Sequence, residues 1–202
     1  MKRITIIGGG ASGTLLAINL LKYSGGERVE INLVEKRTTV GRGVAFGTEH
    51  DVHLLNVPAG KMGAFPDDVE HFHRWLGERG HDFEQDAFVP RKYFAEYLRA
   101  ILEDALMQAV PNVVLNIFDS EALRLVTNES AGEVTLEDGS IIYSEAIVLA
   151  FGNFLPPHPN VPDLSFTGSD KYFQDAWSPE SDTKIDRQDS VLIIGTGLSM
   201  AD

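Results

Sequence analysis

Ile4-Thr5-Ile6-Ile7-Gly8-Gly9-Gly10-Ala11-Ser12-Gly13 is the stretch on which the reading of this chain turns. The β-branched run Ile4 to Ile7 has the composition of a short buried strand, and the apolar segment Thr14 to Leu21 behind the glycines has helical length. Between them Gly8, Gly10 and Gly13 satisfy G-x-G-x-x-G in the strand-turn-helix context that the motif requires. Each glycine has a mechanical purpose: Gly8 permits the tight turn, Gly10 lets the backbone approach a pyrophosphate, and Gly13 lets helix and strand pack closely. The amides of Ala11, Ser12 and Gly13 then face the phosphates with the positive end of the helix dipole behind them. Gly25 and Gly26 end the helical pattern, and Val29 to Val34 alternates apolar and polar residues as a parallel neighbouring strand. That strand delivers Glu35, 22 residues beyond Gly13, where a carboxylate accepts hydrogen bonds from both ribose hydroxyls of an adenosine and repels a 2′-phosphate. Lys36 follows at the same strand end and joins the candidate set. The bland alternative is a glycine-rich turn and a solvated Glu35; motif, strand, helix and terminal acid together favour dinucleotide binding.

Composition narrows the classes. The 202 residues are 43% hydrophobic, enough for a sizeable core. Thirty acidic against seventeen basic side chains give a net charge of −13, a field that repels nucleic-acid backbones and anionic membrane surfaces. With no cysteine, disulfides, thiolate metal sites and thiol nucleophiles are excluded, so redox chemistry would need a bound cofactor. The apolar run after Met1 is too short for a signal peptide or a membrane span, which makes the cytoplasm the default location.

Further along, residues 36 to 66 are rich in glycine and proline and read as a long irregular, functional loop. Asp67 and Glu70 have the spacing of a capping box before a short helix carrying Phe72, Trp75 and Leu76 on one face. Pro90 stands where a first-turn proline belongs, and Tyr93/Phe94, Tyr97/Leu98, Ile101/Leu102 and Ala105/Leu106 make the apolar stripe of a longer helix. Val113 to Phe118, Ala122 to Val126, Glu133 to Leu136 and Ile141 onward then read as a small antiparallel meander, with a turn at Asp138-Gly139. Ala146 to Ala150 lacks alternation, as a strand buried on both faces of a parallel sheet would. Residues 153 to 189 are a connector, and Val191 to Ile194 begins another buried strand. The fold class is therefore α/β, a Rossmann-like parallel sheet with crossover helices and an antiparallel β-meander.

The order of these elements resembles the FAD domain of the two-dinucleotide-binding-domain flavoproteins, the glutathione reductase-like and flavin-containing monooxygenase-like enzymes. IVLAFG, residues 147 to 152, looks like the Ala-Thr-Gly signature that closes the FAD half, with Phe151 in place of threonine before Gly152. VLIIGTGLSMAD, residues 191 to 202, resembles the second, NAD(P)-binding motif, with Gly195 and Gly197 in place and Met200 at the third position. GRGVAFG, HLLNVPAGKMGAFPDD and FHRWL are most similar to the bacterial FAD-NAD(P)-binding family. The resemblance implies pyrophosphate contacts at Gly8 to Gly13, the ribose at Glu35, flavin-side contacts from Arg42, Asn56 and Met62, and an adenine-edge contact at Ala122. It also implies division into an FAD domain at 1–152, a connector at 153–189 and, at 190–202, the start of an NAD(P)-binding domain, this chain being part of a longer protein.

Neither of two other constellations carries chemistry as well. His50 and His53 lie in the irregular segment, and His71 and His73 are two apart rather than three or four, so a metal site is not expected. Ser12 and Ser199 sit in glycine turns, not in G-x-S-x-G. The function expected is a flavoprotein oxidoreductase that uses NAD(P)H and FAD, monooxygenation being the sharper version; the alternative is a non-catalytic FAD- or NAD-binding module. The severed tail is expected to promote self-association.

Overall fold

The computed structural model describes residues 1–36, 39–175 and 177–195. Contacts divide the chain into two compact units, Met1–Gly152 and Asn153–Asp202.

In the first unit, the β-branched N-terminal run forms β1 (Lys2–Ile7), the glycines turn the chain into α1 (Ala11–Tyr23), and β2 (Val29–Glu35) returns parallel to β1. The glycine-rich segment that follows is irregular apart from α2 (Gly43–Phe46) and one 3-10 turn at Ala59–Lys61. Helices α3 (His71–Glu78) and α4 (Arg91–Met107) precede β3 (Val113–Asp119). Strands β4 (Ala122–Thr127), β5 (Gly132–Leu136) and β6 (Ile141–Ser144) make an antiparallel sheet, and β7 (Ala146–Leu149) rejoins the parallel one, whose order is β3-β2-β1-β7.

Pairing is in register across the parallel sheet, so alternate residues divide between its faces. Ile6, Ile31 and Leu33 point to the face covered by helices, where they join Ala17, Ile18 and Leu21 of α1 and Leu98, Ile101 and Leu102 of α4. Ile7, Val34 and Phe118 point to the other face, against Val134, Leu136 and Ile142 of the meander. Each fully buried aliphatic side chain contributes about 1.5–3 kcal/mol relative to exposure. On the meander side a polar seam crosses the strands: Thr5 Oγ1 and Ser144 Oγ lie 2.6 Å apart, and Asn116 Nδ2 donates to Asn32 Oδ1 at 2.9 Å.

Five expectations need correction. Val113 to Phe118 does not belong to the meander; β3 pairs parallel with β2 over seven residues, because the crossover through α4 returns the chain to the sheet in the same direction. Strand β7 is not buried on both faces, since it is an edge strand and Leu149 is 54% exposed. The capping box at Asp67 and Glu70 does not form: Glu70 is the N-cap of α3 without a side-chain bond, while the neighbouring Asp68 carboxylate is taken by Arg74. Pro90 is the N-cap of α4, not a first-turn residue.

The second unit has a 3-10 turn at Ser165–Gly168 and a short helix, α5 (Pro179–Lys184), capped by Ser178. Gln174 Nε2 donates to the Pro156 carbonyl at 2.7 Å, and Tyr172 packs edge-on against Phe166. The fifth correction falls here. Val191 to Ile194 forms no strand; the four residues are between 56 and 86% exposed, having no ladder partner to satisfy an extended backbone. Gly197, Ser199 and Met200, the remainder of the second glycine motif, lie outside the described residues.

Candidate nucleotide-binding site

The three motif glycines are glycines for different reasons. Gly8 has φ +107°, its N–H donates to the Val34 carbonyl at 2.8 Å, and an added Cβ would fall on the Ala150 carbonyl oxygen. A Cβ at Gly13 would fall on the Gly8 carbonyl and come within 3.2 Å of Ile6 Cγ2. Packing therefore accounts for both. Gly10 differs. With φ −67° it needs no unusual backbone, and a Cβ there would meet only the Gly43 Cα at 3.5 Å, an ordinary contact. Nothing among the described residues requires a glycine at that position, whereas a group approaching the turn from outside would. Gly10 is also the N-cap of α1, with no side chain over the helix end, so the first-turn amides of Ala11, Ser12 and Gly13 are presented as donors.

Glu35 stands at the tip of β2 and is 7% exposed. Its Oε2 accepts the Gly9 N–H at 2.6 Å, and a Cβ at Gly9 would meet Glu35 Cβ at 2.8 Å. Gly9, read from sequence as a spacer, is thus the residue that admits the carboxylate; the signal was three consecutive glycines where the motif asks for two. The same strand end collects further candidates. The Ser120 N–H donates to the Glu35 carbonyl at 3.1 Å, exposed Lys36 pairs with Glu121 at 3.1 Å, and Ala122 opens β4 opposite Leu136.

Of the loop candidates, Arg42 is brought to the turn. The Gly41 N–H donates to the Gly9 carbonyl at 2.7 Å, and the backbone of Gly43 lies against Gly10, so Arg42 is held between two residues that touch the motif. Behind them, Gly41 lies over Ala95 and Leu98 of α4, and Phe46 packs 4.8 Å from Phe94. Arg42 is one-third exposed and ion-paired with Glu49. Asn56 is exposed and Met62 packs on the apolar core; no hydrogen bond among the described residues ties either to the glycine turn. Gly152 is exposed beyond β7 with φ +74°.

Histidines serve local structure: His73 Nε2 lies 2.9 Å from the Phe83 carbonyl and His71 Nδ1 2.8 Å from the Tyr97 hydroxyl. Tyr97, fully buried, also accepts the Ala64 N–H at 3.1 Å, and burial pushes its phenol up to about 12. Among the described residues no group of three or more His, Asp or Glu side chains could hold a metal, and no helix is long and apolar enough to cross a membrane.

A family model described as FAD-NAD(P)-binding matches residues 5–154. No curated protein matches the chain. Among solved structures, a cyclohexanone monooxygenase mutant from Rhodococcus sp. Phi1 bound to NADP+ is 20% identical with a TM-score of 0.55, over 84% of this chain and 30% of that one. An open form of cyclohexanone monooxygenase is 19% identical with a TM-score of 0.53, over 81% of this chain and 30% of that one. A mutant flavin monooxygenase from Stenotrophomonas maltophilia is 18% identical with a TM-score of 0.50, over 75% of this chain and 39% of that one. At these identities the likeness is one of fold, and the chain spans well under half the length of each.

Proposed function

Because the chain belongs to the FAD-NAD(P)-binding family, we propose that residues 1–152 are the FAD-holding part of an NAD(P)H-dependent flavoprotein oxidoreductase of the cytoplasm. In this reading residues 153–189 are a connector and 190–202 open an NAD(P)-binding domain. The observation that carries it is Gly10, a glycine that neither packing nor backbone conformation demands, placed over the amino end of α1 and beside a buried carboxylate.

The residues present fit a dinucleotide. The amides of Ala11, Ser12 and Gly13 donate to pyrophosphate oxygens, with the helix dipole adding about 0.3–1 kcal/mol. Glu35 accepts from the ribose hydroxyls while retaining Gly9, since a carboxylate offers about four acceptor sites. Held by Gly9, the carboxylate does not have to be ordered when a ligand arrives. Arg42 supplies positive charge at the turn within a chain whose net charge would otherwise oppose an anionic ligand. FAD, when bound, supplies acceptance of a hydride and onward delivery of electrons to oxygen or an organic acceptor. The monooxygenases among the solved structures support oxygen as that acceptor.

Titration of the chain with FAD and with ADP, followed by calorimetry and by the visible flavin bands, tests the binding reading: saturable binding of both is expected, and binding of neither would overturn it. Anaerobic addition of NADPH or NADH to the longer protein is expected to bleach those bands. Bands that hold constant would mean a binding module without redox turnover.

A further inference from the structure

Glu49 has no place in the site as described, yet its carboxylate makes the ion pair with Arg42. Six residues lie between the two, α2 followed by Gly47 and Thr48, and the exposures differ: Arg42 is 33% exposed in side chain and Glu49 68%. The backbone of the arginine is held at the turn, because its neighbours Gly41 and Gly43 are both docked on the glycine motif. The glutamate lies in the loop closed by the Thr48 and His53 side chains, which meet at 2.6 Å. An arginine whose backbone is carried on the candidate pyrophosphate turn is thus matched with an anion from the chain itself, and carboxylate and phosphate oxygens compete for the same guanidinium fork.

We propose that Glu49 is an internal competitor for Arg42: its carboxylate occupies the guanidinium that a pyrophosphate would take, and nucleotide binding exchanges one anion for the other. This rests on the nucleotide reading above. The exchange makes the affinity of the site adjustable from outside the motif, through a solvent-facing side chain that touches no motif glycine. It also implies selectivity for ligands with phosphate: adenosine, which offers no anion to displace Glu49, gains nothing when Glu49 is neutralised. An exposed pair is worth at most about 1 kcal/mol, so the effect on affinity is about three- to fivefold and not orders of magnitude.

A double-mutant cycle tests it, with ADP as probe and calorimetry as readout on the chain, Glu49→Gln, Arg42→Gln and the double variant. Expected are ADP binding about three- to fivefold tighter in Glu49→Gln, about tenfold weaker in Arg42→Gln, and the same in the double variant as in Arg42→Gln within twofold. Adenosine affinity should not move with Glu49→Gln. If ADP binds Glu49→Gln no more tightly than the parent, the competitor role is overturned while the nucleotide site stands. Equal tightening in the Arg42→Gln background would also overturn it, by showing a diffuse charge effect. Failure of ADP to bind parent and variants alike would bring down the nucleotide reading and this inference together.

Discussion

Substituting alanine at two glycines of the same motif should give opposite results. In Gly10→Ala the new methyl makes only an ordinary contact, 3.5 Å from the Gly43 Cα, at φ −67°, which alanine adopts freely. Alanine is the poorer N-cap by roughly 1 kcal/mol, but it also narrows the unfolded ensemble, a gain of about 0.4–1 kcal/mol, so the net change in stability is under about 1 kcal/mol. For a chain of this size that is about 2–4 °C in melting temperature at most. In Gly13→Ala the methyl falls on the Gly8 carbonyl, a backbone atom inside the β1–α1 turn. Relief requires the helix to move off the strand, and overpacking of this kind costs about 1–3 kcal/mol, partly offset by about 1 kcal/mol of helix propensity if the helix stays intact. The assay pairs a circular-dichroism melt with an ADP titration. Gly10→Ala should melt with the parent and bind ADP roughly ten- to a hundredfold more weakly, the loss of one or more charge-assisted hydrogen bonds. Gly13→Ala should melt lower, by roughly 2–6 °C if about 1–1.5 kcal/mol of the overpacking cost remains. Parent-like ADP affinity in Gly10→Ala would refute the argument that its missing side chain serves a ligand, and parent-like melting of Gly13→Ala would refute the packing argument.

Three further outcomes follow from particular contacts. Glu35→Ala leaves the buried Gly9 N–H without its acceptor, so it should lower stability by about 1–3 kcal/mol as well as weaken ADP binding; a fall in affinity with an unchanged urea midpoint would show that the Gly9 bond contributes nothing. Tyr97 holds its proton more tightly folded, at about 12, than unfolded, at 10.0, because burial penalises the phenolate, so stability is untouched by this group below pH 10 and falls by about 2–3 kcal/mol as pH rises from 10 to 12. Tyr97→Phe should be less stable at neutral pH, with Ala64 N–H and His71 unpaired, and should lack that part of the alkaline slope; superimposable denaturation curves from pH 9 to 12 would contradict this. The exposed run Val191 to Ile194 is expected to drive self-association, read by sizing chromatography over a concentration series. Leu192→Lys with Ile194→Lys should then give a monomer, and a parent chain monomeric at every concentration would remove the idea.

Local chemistry made the first 35 residues legible. The β-branched run, the glycine spacing and the acid at the end of the second strand each act within one β-α-β unit, where sequence neighbours are also spatial neighbours. Elements whose placement depends on distant partners were read less well. Nothing in Val113 to Phe118 itself says whether its partner is Val29 to Val34, across a helix, or the hairpin that follows; both sheets accept the same composition. The same holds for Val191 to Ile194, whose apolar texture specifies burial but not a partner. At the site, the contribution of Gly41 to Gly43 was only partly visible, because it is made by backbone atoms that a motif of side chains does not encode. The capping box illustrates a related loss: Asp67 and Glu70 have the spacing, but α3 begins only at His71, with Glu70 itself at the N-cap, so the acid meant to close the box stands outside the helix.

The pairing of β1 with β7 sets a timetable for the site. Ile7 and Gly8 leave a ribosome long before Ala150, yet the carbonyl under Gly8 belongs to Ala150, whose own amide donates to the Ile7 carbonyl at 2.7 Å. A nascent chain therefore carries its whole glycine motif, and Glu35 as well, through synthesis of most of this unit without the strand that closes the turn from beneath. Contacts spanning so much sequence form late and carry a large loop-closure entropy. Nucleotide capture should accordingly report completion of the unit and not the appearance of the motif. Stalled chains released from the ribosomal tunnel as far as Ser144 should pass through an ADP resin, whereas those released beyond Gly152 should be retained.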